Sequence, residues 1–209
     1  MSTFADLKTL VAQDIIRPDL TSQISAAVLS AVQDHSVERF WFNETRTFSV
    51  SLTTGSSGEY SITPTSTIQE FIKIDWLRVQ IGSQWVRMDR IDADNMEEFQ
   101  LATTTGQPQW WTYYADRLRV YPEPDRTYSS RIAGHIRLVA LSADTDTNAW
   151  TNAAKDLIRY SALKRVLAFP VRNAEAALGA ATMEAQQLDA LRRETDRRKR
   201  TGTMAAYHG

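Results

Sequence analysis

The sequence predicts an α+β protein: a helical bundle from the N- and C-terminal segments, with an inserted antiparallel β-rich, sandwich- or barrel-like domain. Three observations predict this. Of the 20 aromatic residues, 15 fall between Phe40 and Tyr128, and the flanks are rich in alanine and leucine. Apolar residues recur at helical spacing in both flanks and at alternate positions in the middle. No apolar run approaches the roughly 20 residues that span a bilayer, so no membrane is expected. The boundaries read as 1–40 plus 147–200 for the bundle, 41–146 for the insertion and 201–209 for a flexible C-terminal tail.

The first helix spans about Ser2 to Ile16 and stops before Pro18, because proline disfavours helix in the residue preceding it. Asp19, Thr21 or Ser22 is placed to cap the next helix, whose stripe is Leu20, Ile24, Ala27, Val28 and Ala31 and which ends near Val37. From Trp41 the period becomes two. Thr47 to Leu52 alternates hydroxyl and apolar residues as a half-buried strand, and Thr54–Gly58 forms a turn. Tyr60 and Ile62 continue the alternation. Phe71 to Ile81 is a strand, Gly82–Ser83 a tight turn and Trp85–Met88 the return strand. Asp92 to Leu101 reads as a short acidic helix, followed by a polar loop to Gln109. Strands at Trp110–Ala115 and Leu118–Tyr121 meet at Asp116–Arg117. Pro122–Asp125 breaks regular structure, and Tyr128–Leu141 is the last strand. Trp150, Ala154, Leu157, Ile158 and Ala162 mark a helix with apolar surface for two neighbours, ended by Pro170. A second helix, about Asn173 to Arg200, carries a small-residue stripe that includes Ala174, Ala177 and Ala181.

The chain has 209 residues and a net charge of −1, so it does not coat nucleic acid over its whole surface. It has no cysteine, which excludes thiol catalysis and disulfides and fits folding in a reducing cytosol. Met1–Leu10 carries Asp6 and Lys8 and has no signal-peptide core. Asn43-Glu44-Thr45 is read as a chance sequon. His35, His135 and His208 are scattered, and no phosphate loop, nucleophile elbow or zinc-helix motif occurs. Asp144-x-Asp146-x-Asn148 begins like a calcium loop, but Ala149 and Lys155 stand at the glycine and bidentate-acid positions. Asp146, Thr147 or Asn148 is instead a helix cap. No cofactor or metal is expected, and no enzymatic activity.

Three features remain as candidate sites. Asp89, Asp92, Asp94, Glu97 and Glu98 form an acid cluster near a helix start, where negative charge is favourable. Trp110, Trp111, Tyr113 and Tyr114 put aromatics on both faces of one strand; one face is core and the other needs a sheet, a ligand or a second subunit. Arg192, Arg193, Arg197, Arg198, Lys199 and Arg200 form a basic stretch larger than helix-end electrostatics require. Its excess points to an anionic partner, with Met204 and Tyr207 as anchors of a docking tail. The basic stretch also allows a nucleic-acid-binding module. The aromatic strand also allows a carbohydrate-binding or hydrolytic tail component.

Arg17-Pro18-Asp19-Leu20, Glu38-Arg39-Phe40-Trp41-Phe42-Asn43-Glu44, Leu118-Arg119-Val120-Tyr121-Pro122-Glu123-Pro124, and Leu141–Asp144 with Thr147–Trp150 occur in that order. Together they resemble the adaptor, or head–tail connector, proteins of short-tailed bacteriophages, over about Asp14 to Phe169. The resemblance implies a structural virion protein with a helical bundle and a β-rich insertion, assembled in the host bacterial cytoplasm and sited at the head–tail junction. It implies a homo-oligomeric ring, usually a dodecamer, beneath the portal protein. The ring extends the DNA channel and serves as a platform for tail or nozzle proteins. DNA passes without specific binding. On this reading the basic stretch, Met204 and Tyr207 face the portal, the Trp110–Tyr114 aromatics face a subunit or the tail, and Asp92, Asp94, Glu97 and Glu98 line the channel.

Overall fold

The structure, a computed structural model, describes residues 1–62, 65, 68–100 and 104–204. The fold is α+β. The chain forms two compact units, Met1–Asn43 with Leu138–Gly209, and Glu44–Arg137.

The first unit is helical. Its helices are α1 (Phe4–Ile15), α2 (Thr21–Ser36), α4 (Ala149–Asn152), α5 (Lys155–Ala168) and α6 (Ala174–Met204), with 3₁₀ turns at Pro18–Leu20 and Trp41–Asn43. The number α3 belongs to Ala93–Gln100 in the second unit. Thr3 and Asp6 start α1 with a capping box: the Thr3 hydroxyl accepts the Asp6 N–H and the Asp6 carboxylate accepts the Thr3 N–H. At the later start, Asn148 is the cap among the three candidates, accepting the Trp150 and Thr151 N–H groups. Asp146 closes the preceding turn instead, taking the Ser142 and Ala143 N–H groups, and these bonds hold its pKa below the usual carboxylate value. The single helix expected here is two, interrupted at Ala153–Ala154.

α5 is the centre of the bundle. It packs on α1, α2 and α6, three neighbours where the sequence pattern predicts two. Its buried side chains Leu157, Ile158, Ala162, Leu163, Val166 and Leu167 lie around the cylinder rather than along one stripe. α6 has 31 residues and is about 46 Å long at 1.5 Å per residue. It extends four residues beyond Arg200, so 201–204 are helical. Residues 205–209, Tyr207 among them, lie outside the described residues.

A half-buried ion cluster joins α2, α5 and α6. Glu184 accepts from Lys164, and its other oxygen lies 3.2 Å from His35 Nε2. Burial is the largest single influence and works to raise the Glu184 pKa, but the bond and charge of the Lys164 ammonium together with the bonds from Ser161 and His35 outweigh it, and the carboxyl sits below its ordinary 4.5. A depressed carboxylate adds stability above its unfolded pKa and loses it as pH falls through the folded value. The thermal-stability gap between wild type and Glu184→Gln is therefore expected to be open at about pH 6 and to narrow at about pH 3, as read by melting curves.

The second unit holds β1 (Glu44–Phe48), β2 (Ser51–Leu52), β3 (Glu59–Ser61), β4 (Ile68–Ile81), β5 (Gln84–Arg87), β6 (Asp89–Arg90), α3, β7 (Thr105–Gly106), β8 (Trp110–Tyr114), β9 (Arg117–Tyr121), β10 (Glu123–Pro124) and β11 (Tyr128–Leu138). One sheet runs β1-β11-β4-β5, with β2 also on β11. A second runs β3-β9-β8-β6, and β7 pairs with β10. The predicted strand at 47–52 is split into β1 and β2. A register shift against β11 between Thr45 and Phe48 breaks the ladder, and Ser130 bonds Val50 O with both its N–H and its hydroxyl. The Gly82–Ser83 turn joins β4 and β5 with Ile81 opposite Gln84, as its composition predicts. The β8–β9 turn is Ala115–Asp116, both with positive φ, one residue earlier than expected.

Gly134 in β11 allows the closest approach in this sheet: a Cβ there would lie 2.2 Å from Lys73 O. Gly134→Ala must shift backbone rather than a flexible side-chain end. It is expected to destabilise by at least about 1–3 kcal/mol, measured by urea unfolding.

Candidate functional site

The basic stretch of the first unit sits near the C-terminal end of α6, and two of its six cations, Arg192 and Arg198, are held by residues of the same unit. Glu38 grips Arg192 with two bonds of 2.7 and 2.8 Å. Three residues on, Thr195 is only 3% exposed; its hydroxyl accepts the Trp41 N–H at 3.3 Å and donates to Leu191 O. Three further on, Arg198 lies 3.6 Å above the Trp41 ring centroid and bonds Glu194 at 2.7 Å. At 100° per residue, positions 192, 195 and 198 share one face. That face is a clasp holding α6 to the 38–43 segment.

Arg192 and Arg198, both still half-exposed, thus fasten α6 to the rest of the unit. The Arg192 bonds keep the Glu38 pKa below its ordinary value. Arg193, Arg197 and Arg200 fall on the opposite face and are exposed. Arg193 pairs with Asp189 and Arg197 with Glu194, both within α6. Such exposed pairs are weak and open readily to another anion. Met204 ends the helix, and its side chain lies outside the described residues.

In the second unit the structure brings the other two sequence features together. α3 packs on β8 and β9. Its sheet-side residues are Met96, fully buried, and Phe99, which stays 41% exposed. Phe99 stacks on Trp110 at 5.7 Å and on Tyr121 at 5.3 Å, and these two lie opposite one another across β8 and β9. Arg119 beneath α3 pairs with Glu59 at 2.9 Å and Glu97 at 3.4 Å. One acid of the cluster is thus tethered to the sheet, while Asp92, Asp94 and Glu98 are exposed.

Trp111 is a core residue, 1% exposed, with its indole N–H donated to Met88 O; it is not available as a subunit or tail contact. Tyr113 is half-buried and its hydroxyl donates to Asp116, 3.2 Å away. Burial first, then the Asp116 charge, pushes that phenol up to about 12. Of the four strand aromatics only Tyr114, 64% exposed, stands clear of the protein. The sequence singled out neither Phe99 nor Tyr121. The usable signal was helical spacing, since Phe99 follows Met96 on the apolar side of an otherwise acidic helix.

Among the described residues no group of three or more His, Cys, Asp or Glu side chains is placed to hold a metal ion, and no helix is long and apolar enough to cross a membrane. What the geometry offers is surface: a clasped helix with an outward cationic edge, and an acidic helix lying on an aromatic sheet.

The clasp makes a local prediction. Trp41→Ala removes the ring beneath Arg198, and is expected to speed amide exchange in the last three turns of α6 while exchange in α5 stays unchanged. Uniform acceleration across both helices would contradict it.

Among curated proteins nothing matches this chain. A family model for the SU10 adaptor protein matches residues 2–207. That match begins before the capping box of α1, passes through every strand of the second unit and extends beyond the clasped end of α6. The chain belongs to the SU10 adaptor protein family, and is a phage adaptor protein.

Proposed function

We propose that this protein is a structural, non-catalytic head-to-tail adaptor of the virion. Copies form a ring, as in the usual dodecamer, beneath the portal protein; the ring extends the DNA channel and offers the platform to which tail or nozzle proteins attach. The observation that carries this reading is the family match across both units rather than one of them.

In this reading the outward edge of α6, Arg193, Arg197 and Arg200, together with the chain beyond it, meets the portal, and the second unit meets neighbouring copies or the tail. One observation supports this division. Arg192 and Arg198 are held by Glu38 and Trp41, and Arg193, Arg197 and Arg200 share the opposite face of α6. The net charge of −1 weighs against the nucleic-acid alternative, because phosphate binding by counterion release draws on an excess of cations.

Native mass spectrometry of the protein mixed with the portal ring of the same phage, beside a form truncated at Gly202, tests the proposal. A discrete ring-on-ring mass, weakened by truncation, is expected. Two unassociated species at micromolar concentration would overturn it.

A further inference from the structure

Nine of the 19 arginines reach a carboxylate of this chain: Arg17, Arg119, Arg137, Arg159, Arg165, Arg192, Arg193, Arg197 and Arg198. One surface of the second unit gathers three arginines that do not. Trp76 and Arg78 alternate on one face of β4, and Trp85 and Arg87 on one face of β5. Arg131 of β11 reaches the same face, with its guanidinium 4.2 Å from the Trp85 ring centroid, while Arg78 lies 4.7 Å over Trp76. Arg78 and Arg87 are register partners, so two like charges stand directly opposite each other on exposed strands, an arrangement that costs stability. Among the described residues none of these three arginines has a carboxylate partner. The face is cationic, aromatic and electrostatically unfinished.

The complementary surface is in the same chain. On α3, Asp94 and Glu98 are one helical turn apart and opposite the buried Met96, so they point away from the sheet. Neither has an ion-pair partner among the described residues, and Asp92 adds a third exposed carboxylate beside them. Side chains four apart on a helix are about 5–6 Å apart at Cβ, and opposed residues on paired strands about 4.5–5.5 Å. The carboxylate pair therefore matches the Arg78–Arg87 pair in spacing as well as in charge.

We propose that the Trp76, Arg78, Trp85, Arg87 and Arg131 face docks α3 of a second copy of this chain. The two surfaces differ, so the contact is heterologous: each copy uses one surface on each neighbour, and repetition closes into a ring or grows as a filament. The inference deepens the adaptor reading by naming what joins neighbouring copies, and rests on that reading only for the ring's existence. It gives the α3 acids a role between subunits in place of channel lining.

The absence of native cysteine makes the test clean. Full-length Arg87→Cys and Asp94→Cys proteins are mixed under mild oxidation, alone and with the portal ring, and the disulfide is mapped by peptide mass spectrometry. The mixture is expected to give about tenfold more covalent dimer, linked between the two substituted positions, than either variant by itself. Adding Arg78→Glu to the first partner should remove that excess, and adding Glu98→Lys to the second should restore it. Melting curves confirm that each variant is folded.

No excess in either setting, or dimers linked only between like positions, overturns the proposal. Retention of DNA that is lost in Arg78→Glu/Arg87→Glu, without the mixed disulfide, overturns it in favour of nucleic acid. A mixed disulfide without a portal complex would sink the adaptor reading and leave the interface standing. A portal complex without the disulfide would do the reverse.

Discussion

The constraint on which the rest of the helical unit depends is closure of two distant chain segments around α5. Phe40 and Phe42 from the first segment meet Trp150 from the second, edge to face at 5.9 and 5.0 Å, and stack on each other at 5.3 Å. Phe40 and Trp150 are almost wholly buried. A buried aromatic of this size is worth several kcal/mol on truncation, a large fraction of the net stability of a domain. Asn43 ends the same segment from inside the protein. Its carboxamide accepts the Phe40 N–H at 2.7 Å and donates to Glu38 O at 2.8 Å, fixing the turn that aims both rings. The second unit begins at the next residue, Glu44.

The motifs that carry the family resemblance supply structural contacts. Arg17 and Asp19 clamp one another across a single 3₁₀ turn. Glu38 holds Arg192, Trp41 carries Arg198, and Asn148 caps the helix that places Trp150. Each of these residues fixes a direction of the backbone. Partners are then sought on the surfaces that this scaffold presents.

Much of this was legible in the sequence, and the boundary of legibility is physical. Helical period and proline positions located α1, α2, α5 and α6, because those signals are local. The Gly82–Ser83 hairpin was legible for the same reason. The clasp was not: Glu38 and Arg192 are 154 residues apart, and composition alone makes Arg192–Arg200 a uniform patch. Helical geometry splits that patch into inward and outward edges, but only the fold says which edge is inward. The aromatic strand failed in the same way. Alternation separates Trp110 from Trp111 without saying which meets the core, and the second face is covered by α3, whose own pattern is too short and too acidic to announce a packed helix.

The distribution of paired and unpaired charge then acquires meaning. Net charge is −1, so a random surface would mix signs and leave few neighbouring cations. The helical unit behaves this way: Arg159 meets Asp14, Arg165 meets Asp34 and Arg192 meets Glu38. Individually these exposed pairs contribute little, so their regularity is better understood as keeping that surface electrostatically quiet. Against this background Arg78 opposite Arg87, with Asp94 and Glu98 unpaired on α3, is a separation of charge within one unit. Maintaining it costs the free chain some stability through like-charge repulsion. A neighbouring copy that brings the two surfaces together removes that cost, so assembly gains from relieving repulsion as well as from the new contact.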